Sequence, residues 1–181
     1  MSDGTKIQWS DASWTPIRAR RKDGQPNMAG GGWICQRVSA GCQNCYAAGI
    51  NRRLGTGFDY DARGVAESDI YLDERILTEP SRWLSPRRVF VCSMTDLFGE
   101  WVPDEFITRV YGVMVAAYWH EFQVLTKRPE RRRALLRDEA FRAQVARGGA
   151  GDQHVQRRAG DYRRPGYAPP RDGGEPGGLE C

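Results

Sequence analysis

Three cysteines, Cys35, Cys42 and Cys45, crowd onto one stretch with the spacing C-x6-C-x2-C. Thiolates are soft donors, suited to iron–sulfur clusters and to zinc. Three of them on one loop suit a cubane [4Fe–4S] cluster and leave its fourth iron without a protein ligand, open to a small molecule. Two other readings of the same residues stay open. Zinc would want a fourth ligand, and His120 and His154 lie far off in sequence, while Cys92 serves only if folding brings it near. Buried, unliganded thiols are the third reading, which a polar loop containing Gly41 explains poorly. Five cysteines in all is an odd number, against a simple disulfide framework. Cys92 stands inside an apolar run and reads as a small buried hydrophobe rather than a ligand.

The elements that must position these thiols follow from the local patterns. Lys6 to Pro16 reads as a short strand around Ile7 to Trp9 and a polar turn, with Pro16 biasing Thr15 away from helix. An Arg- and Gly-rich loop from Arg18 to Gly32 then delivers the chain to Cys35. Tyr46 to Leu54 reads as a helix stopped by Gly55, Thr56 to Ser68 as a loop, and Asp73 to Trp83 as a short helix interrupted by Pro80. The run Arg88 to Ser93, β-branched and aromatic, suits a buried strand. Pro103 opens a helix with Asp104 and Glu105 in its first turn, where carboxylates suit the macrodipole. Phe106, Ile107, Val110, Val113, Met114 and Ala117 form its apolar face. Phe122 to Thr126 is a second strand and Pro129 to Arg147 a second helix. Strand, helix, strand, helix with short joints predicts a parallel sheet in an α/β fold with right-handed crossovers.

The chain has 181 residues, of which 40% are hydrophobic and 28% charged. Its longest apolar run, Val113 to Ala117, is too short to cross a bilayer, and Met1 to Lys6 contains no apolar segment of a signal peptide. These features predict a cytoplasmic protein with no membrane partner. The net charge of +4 permits an anionic partner without demanding one. From Gly148 to Cys181 the composition shifts to Gly, Pro and Arg, with Val155 and Leu179 the only large aliphatic side chains. Such a segment buries too little to offset the entropy of ordering it. The expected organisation is an α/β domain over 1–147, incomplete because no further strand follows, and a disordered tail over 148–181.

In parallel α/β folds, ligands sit at the C-terminal ends of the strands. The first middle strand runs out into Ser93-Met94-Thr95-Asp96 and the second into Thr126-Lys127-Arg128. If the cysteine loop follows the opening strand, it opens onto the same rim. Asp96 and Lys127 are therefore the candidate catalytic residues, Asp96 for a hydroxyl or a proton and Lys127 for a carboxylate or phosphate. Tyr46 and Ser93 join them as candidate cofactor contacts, whereas Arg128 reads as a flank of the helix start. Trp9, Trp14 and Trp33 surround the cysteines in sequence and either shield a cluster or pack the core. Arg18, Arg20, Arg21 and Lys22, with Arg131 to Arg133 and Arg137, are candidate phosphate contacts, although a solvated helix face explains the second group as well.

The C-x2-C half of the motif matches that of radical-SAM enzymes, whose first gap, C-x3-C, is three residues shorter. More of the chain resembles the phage proteins of the gene-product thirty-seven/sixty-eight family. The resemblance is carried by Ile7 to Asp11 with Trp14 to Ile17, by Gly41 to Ala47, by Asn51 to Leu54, by Val89 to Phe98, by Val102 to Asp104 and by Phe122 to Pro129. It departs at Ala48, where the family commonly has an acidic residue, and after Arg147, where the family continues with further strands. The resemblance implies a partial (β/α) barrel of radical-SAM type, cut short. It implies a [4Fe–4S] cluster on Cys35, Cys42 and Cys45 and reductive cleavage of S-adenosylmethionine to act on an unknown substrate. The rival expectation is a non-enzymatic module, with zinc on the same cysteines and the arginines on nucleic acid.

Overall fold

A computed structural model of the chain describes residues 8–24, 31–56 and 58–151. Val89 and Val91, alternating along Arg88–Val91 (β4), point to one face of a sheet whose neighbours are Ala12–Trp14 (β1) and Glu121–Val124 (β5). The order is β1-β4-β5 and both pairings are parallel. The register sets Trp14 beside Val91 and Val91 beside Val124, with Phe122 beside Val89. These side chains form the floor of the main core.

Asp104–Ala116 (α4) and Glu139–Gly151 (α6) cover that floor. Ile107 and Val110 of α4, with Phe141 and Val145 of α6, are buried in the same cluster. Each such side chain contributes roughly 1.5–3 kcal/mol by leaving water. Trp14 is fully buried, and its indole N–H donates to the Ile76 carbonyl at 2.8 Å, so its one polar atom carries no desolvation cost. The β4-α4-β5-helix succession predicted from the sequence is present. The structure is mixed α/β with a small parallel sheet; among the described residues that sheet has three strands and does not close into a barrel.

Several elements differ from their expected positions. Gln8 and Trp9 lie in a turn, and the opening strand is Ala12–Trp14 instead; Ile7 lies outside the described residues. The expected loop from Arg18 begins as a strand, Ile17–Arg21 (β2), antiparallel to Ser68–Leu72 (β3). Opposite charges sit directly across this pair, Arg20 against Asp69 at 2.7 Å. The expected loop before β3 contains a helix, Ala62–Glu67 (α2), whose N-cap Asp61 accepts from the Gly64 amide at 2.7 Å. Asp73 to Trp83 forms a short helix, Glu74–Leu77 (α3), then a 3₁₀ turn opened by Pro80.

The helix expected over Pro129 to Arg147 is two, Pro129–Arg137 (α5) and α6, because the Asp138 carboxylate caps the Phe141 amide at 2.7 Å and starts a new helix. α6 then runs through Gly148 to Gly151, so the first residues of the expected tail are helical. The remainder, 152–181, lies outside the described residues. Among the described residues no helix is long and apolar enough to cross a membrane.

Candidate cofactor cavity

The chain leaves β4 through an unusual turn. Cys92 takes a left-handed backbone (φ +54°), rare for a residue with a Cβ, while its amide donates to the Trp14 carbonyl at 2.7 Å. The turn sends residues 93–96 across the C-terminal end of the sheet, where two tyrosines from the cysteine side catch the backbone and a threonine of the loop reaches back. Tyr46 donates to the Ser93 carbonyl at 2.8 Å, Tyr60 to that of Met94, and Thr95 donates back to the carbonyl of Ile34, next to Cys35. The hydroxyls of Ser13 and Ser93 also meet.

Between the caught loop and the cysteine loop lies a cavity of about 300 Å³. Cys35, Cys42 and Cys45 line it, as do Ser93, Asp96 and Lys127. All three thiols are free and half-buried. Cys45 precedes the helix Tyr46–Arg53 (α1), which ends as expected at Gly55 with φ +63°. Cys42 closes a 3₁₀ turn, Ala40–Cys42. Cys35 and Cys45 pack on a second apolar cluster, built on Ile34, Ala47, Phe58, Tyr60 and Met94 and backed by Trp33 and Trp101.

The thiols differ electrostatically. Burial, with the Asp96 charge adding to it, pushes Cys35 up to about 11 despite the opposing Arg128. Partial burial also works to raise Cys42, but hydrogen bonds from Val38 and Ser39, and the Lys127 ammonium, outweigh it and lower the thiol below its ordinary value. Lys127 reaches over the cysteine loop: a Cβ on Gly41 would stand 3.2 Å from its Nζ. Cys92 is buried and its thiol pushed up by desolvation, as expected of a small hydrophobe, although it also lines the cavity.

Asp96 has a different role from an available acid or base. Its carboxylate accepts from the Phe98 amide (3.0 Å), the Thr126 hydroxyl (2.7 Å), the Lys127 amide (2.9 Å) and Arg128 (3.1 Å). These bonds tie the loop after β4 to the loop after β5, and they occupy the oxygens. Arg128, read as a mere flank, is the other half of this brace. Only 5% of its side chain is exposed, and it pairs with Asp96 and with Glu100 at 2.6 Å. It also stacks on Trp101 at 4.6 Å and reaches the Gln36 carbonyl in the cysteine loop. Burial disfavours its charge, yet the hydrogen bond and charge of Glu100, with Asp96, hold it raised. Tyr46 and Ser93, expected to touch a cofactor, both line the cavity, and the Tyr46 hydroxyl donates to the Ser93 carbonyl. Tyr60 was not visible as a site residue, because nothing in the sequence says that its hydroxyl crosses to Met94.

Most arginines read as phosphate contacts are engaged. Arg20 and Arg21 pair with Asp69 and Asp23, Arg18 is buried over the Trp33 ring, and Arg131 binds Asp104 and the carbonyls of Gly99 and Val102.

Among the described residues no three Cys, His, Asp or Glu side chains converge on one ion-sized point. The cysteines instead border a space, and a cubane holds its iron corners apart, each taking one thiolate. Three soft donors, with the neighbouring carboxylate already engaged, fit such a group. A family described as protein of unknown function (DUF5131) matches residues 4–157. No curated protein and no solved structure matches the chain.

Proposed function

The chain belongs to the DUF5131 family of proteins of unknown function, and from the chemistry of the cavity we propose that it is an iron–sulfur protein of radical-SAM type. In this reading Cys35, Cys42 and Cys45 hold a [4Fe–4S] cluster, and the remaining space takes S-adenosylmethionine. When bound, the cluster supplies one electron for reductive cleavage of that cofactor. One observation carries the reading: the whole C-x6-C-x2-C set borders a single cavity at the C-terminal ends of parallel strands. Ligands of parallel α/β folds bind at that end. The resemblance to the phage gene-product family supports it, and the three-stranded sheet is then one part of a (β/α) barrel.

The protein's own groups have separable tasks. Lys127 offers a cation beside Cys42 for a carboxylate or phosphate. Asp96 and Arg128 hold the two strand-end loops at fixed separation. Tyr46, Tyr60 and Thr95 fix the height of the loop over the cavity. The apolar cluster behind Cys35 and Cys45 keeps water from that side.

Anaerobic purification followed by iron, sulfide and zinc analysis tests the proposal. Iron with equimolar sulfide is expected, with a reduced-state electron paramagnetic resonance signal that changes on adding S-adenosylmethionine. Cys42→Ala or Cys45→Ala should lose the iron, and Cys92→Ala should keep nearly all of it. Stoichiometric zinc without sulfide, or iron retained when Cys35, Cys42 and Cys45 are all replaced, overturns the reading. The full chain should form 5′-deoxyadenosine slowly under reduction, because among the described residues only three strands of the barrel this reading expects are present.

A further inference from the structure

Near the cavity stand exposed aromatic rings and cations, of which only Tyr46 and Lys127 already have a task in the iron–sulfur reading. Trp9 is 41% exposed and lies edge-on to Phe90, which lines the cavity, with ring centroids 4.8 Å apart. Tyr46, 52% exposed, lines the cavity too. Two aromatic rings thus stand with much of their surface in water, Tyr46 on the cavity wall and Trp9 against Phe90 of that wall. Cations stand beside them. Arg37 is exposed on the loop between Cys35 and Cys42, and Lys127 lies over Gly41. On α1, Tyr46, Gly49 and Arg53 are spaced i, i+3 and i+7, so they share one face, all exposed, over about 10 Å. Nothing lies within 4 Å of where a Gly49 side chain would begin, which leaves that stripe open. Among the described residues Arg37, Arg53 and Lys127 make no ion pair, in contrast to Arg20, Arg21, Arg88 and Arg109.

We propose that the substrate presented to this cavity is single-stranded nucleic acid, its bases stacked on Trp9 and Tyr46 and its phosphates met by Arg37, Arg53 and Lys127. Open aromatic faces interleaved with unpaired cations are the recognition chemistry of single strands. An acidic peptide would use the cations and leave the rings idle. A duplex keeps its bases stacked on one another and could not offer them to the rings. This names the substrate class of the proposed reaction site and rests on that reading for its chemistry, but not for its binding.

The test is fluorescence anisotropy of a labelled short mixed-sequence oligonucleotide, as single-stranded DNA, single-stranded RNA and duplex, with the full chain of measured iron content. One or both single strands should bind more tightly than the duplex, and their ranking names the sugar. Trp9→Ala should weaken binding about tenfold, the scale of one base–aromatic stack. Arg53→Glu, at an exposed helix position, should flatten the slope of log affinity against log salt by roughly 0.7 or more. Arg142→Ala on α6 should change neither. Equal duplex binding, no binding, equal competition by polyglutamate or anionic vesicles, or binding indifferent to Trp9 and Arg53 each overturns the proposal. Indifference would assign any affinity to the arginines at 157, 158, 163 and 164. Rim-dependent binding by iron-free protein overturns only the cluster reading, and iron without binding overturns only this one.

Discussion

The two ends of the three-stranded sheet are built from the same strands and do opposite work. At the end where the strands begin, polar groups are closed on one another. Asp11 pairs with Arg88 at 2.8 Å, and the Trp119 indole donates to the Trp83 carbonyl at 3.0 Å. His120 accepts from the Arg87 amide at Nδ1 (3.1 Å) while Nε2 meets the Pro80 carbonyl at 2.9 Å. That pair of partners makes the ring the neutral Nε2–H tautomer. At the end where the strands finish, the hydrogen bonds instead hold loops around a space, and thiols and an ammonium face it. Parallel strands all begin at one end and finish at the other, so entering segments can lock together while departing ones must fan out. The strand starts close on one another, and the strand ends hold a space open.

The strongest challenge to this division lies within the cavity end itself. Asp96→Ala removes an acceptor shared by four donors and half of a buried ion pair, so a loss of about 3–5 kcal/mol is expected in chemical denaturation. A loss under about 1 kcal/mol would return Asp96 to the list of available acids and blur the contrast. The locked end gives the next effect. Burial, with Arg87 nearby, holds His120 below its ordinary 6.5, despite the bond to Pro80. The fold therefore keeps the neutral ring. This contribution is complete above pH about 6.5 and fades as pH falls through the depressed value, because the unfolded chain takes up the proton first. Melting temperature should drop on that acid side, and His120→Gln, whose amide can still donate to Pro80, should flatten the drop while costing about 1–3 kcal/mol at neutral pH. A profile identical to wild type would remove His120 from the lock.

The smallest effect belongs to Asp11. Its carboxyl is held down to about 2, chiefly by the side-chain hydrogen bond from Arg88. Stability from the pair is present above pH 3.8 and lost as pH falls through about 2. Both partners are nearly half exposed, so Asp11→Asn should cost under about 1 kcal/mol, and less in high salt. A larger loss would mean that the charge, and not only the Arg88 amide bond that Asn can still accept, registers β1 against β4.

What the sequence disclosed follows the same line between local and distant causes. The α1 helix, its Gly55 stop and strands β4 and β5 were legible because neighbours a few residues apart determine them. The antiparallel β2–β3 pair was not, since Arg18, Arg20 and Arg21 look like a polar loop until Trp33, Asp69 and Asp23 supply partners. A three-residue strand such as β1 has too short a pattern to be distinguished from the turn before it. Asp138 carried a readable capping signal that the uninterrupted arginine-rich pattern hid. Around the cavity, spacing pointed to the cysteines and the strand-end positions. Whether Asp96 has lone pairs to spare depends on Thr126 and Arg128, thirty or more residues away.

Four of the six tryptophans divide between the same two places. Trp33 and Trp101 pack with Cys35 and Cys45, whereas Trp83 and Trp119 surround His120 at the far end. An iron–sulfur centre absorbs broadly across the near ultraviolet and visible, and it drains excitation from any indole beside it. Were the proposed cluster bound, Trp33 and Trp101 would be dimmed most by it, and Trp83 and Trp119 least. Replacing Trp83 and Trp119 with phenylalanine would leave a chain whose glow reports occupancy more directly, without a label or a cofactor assay.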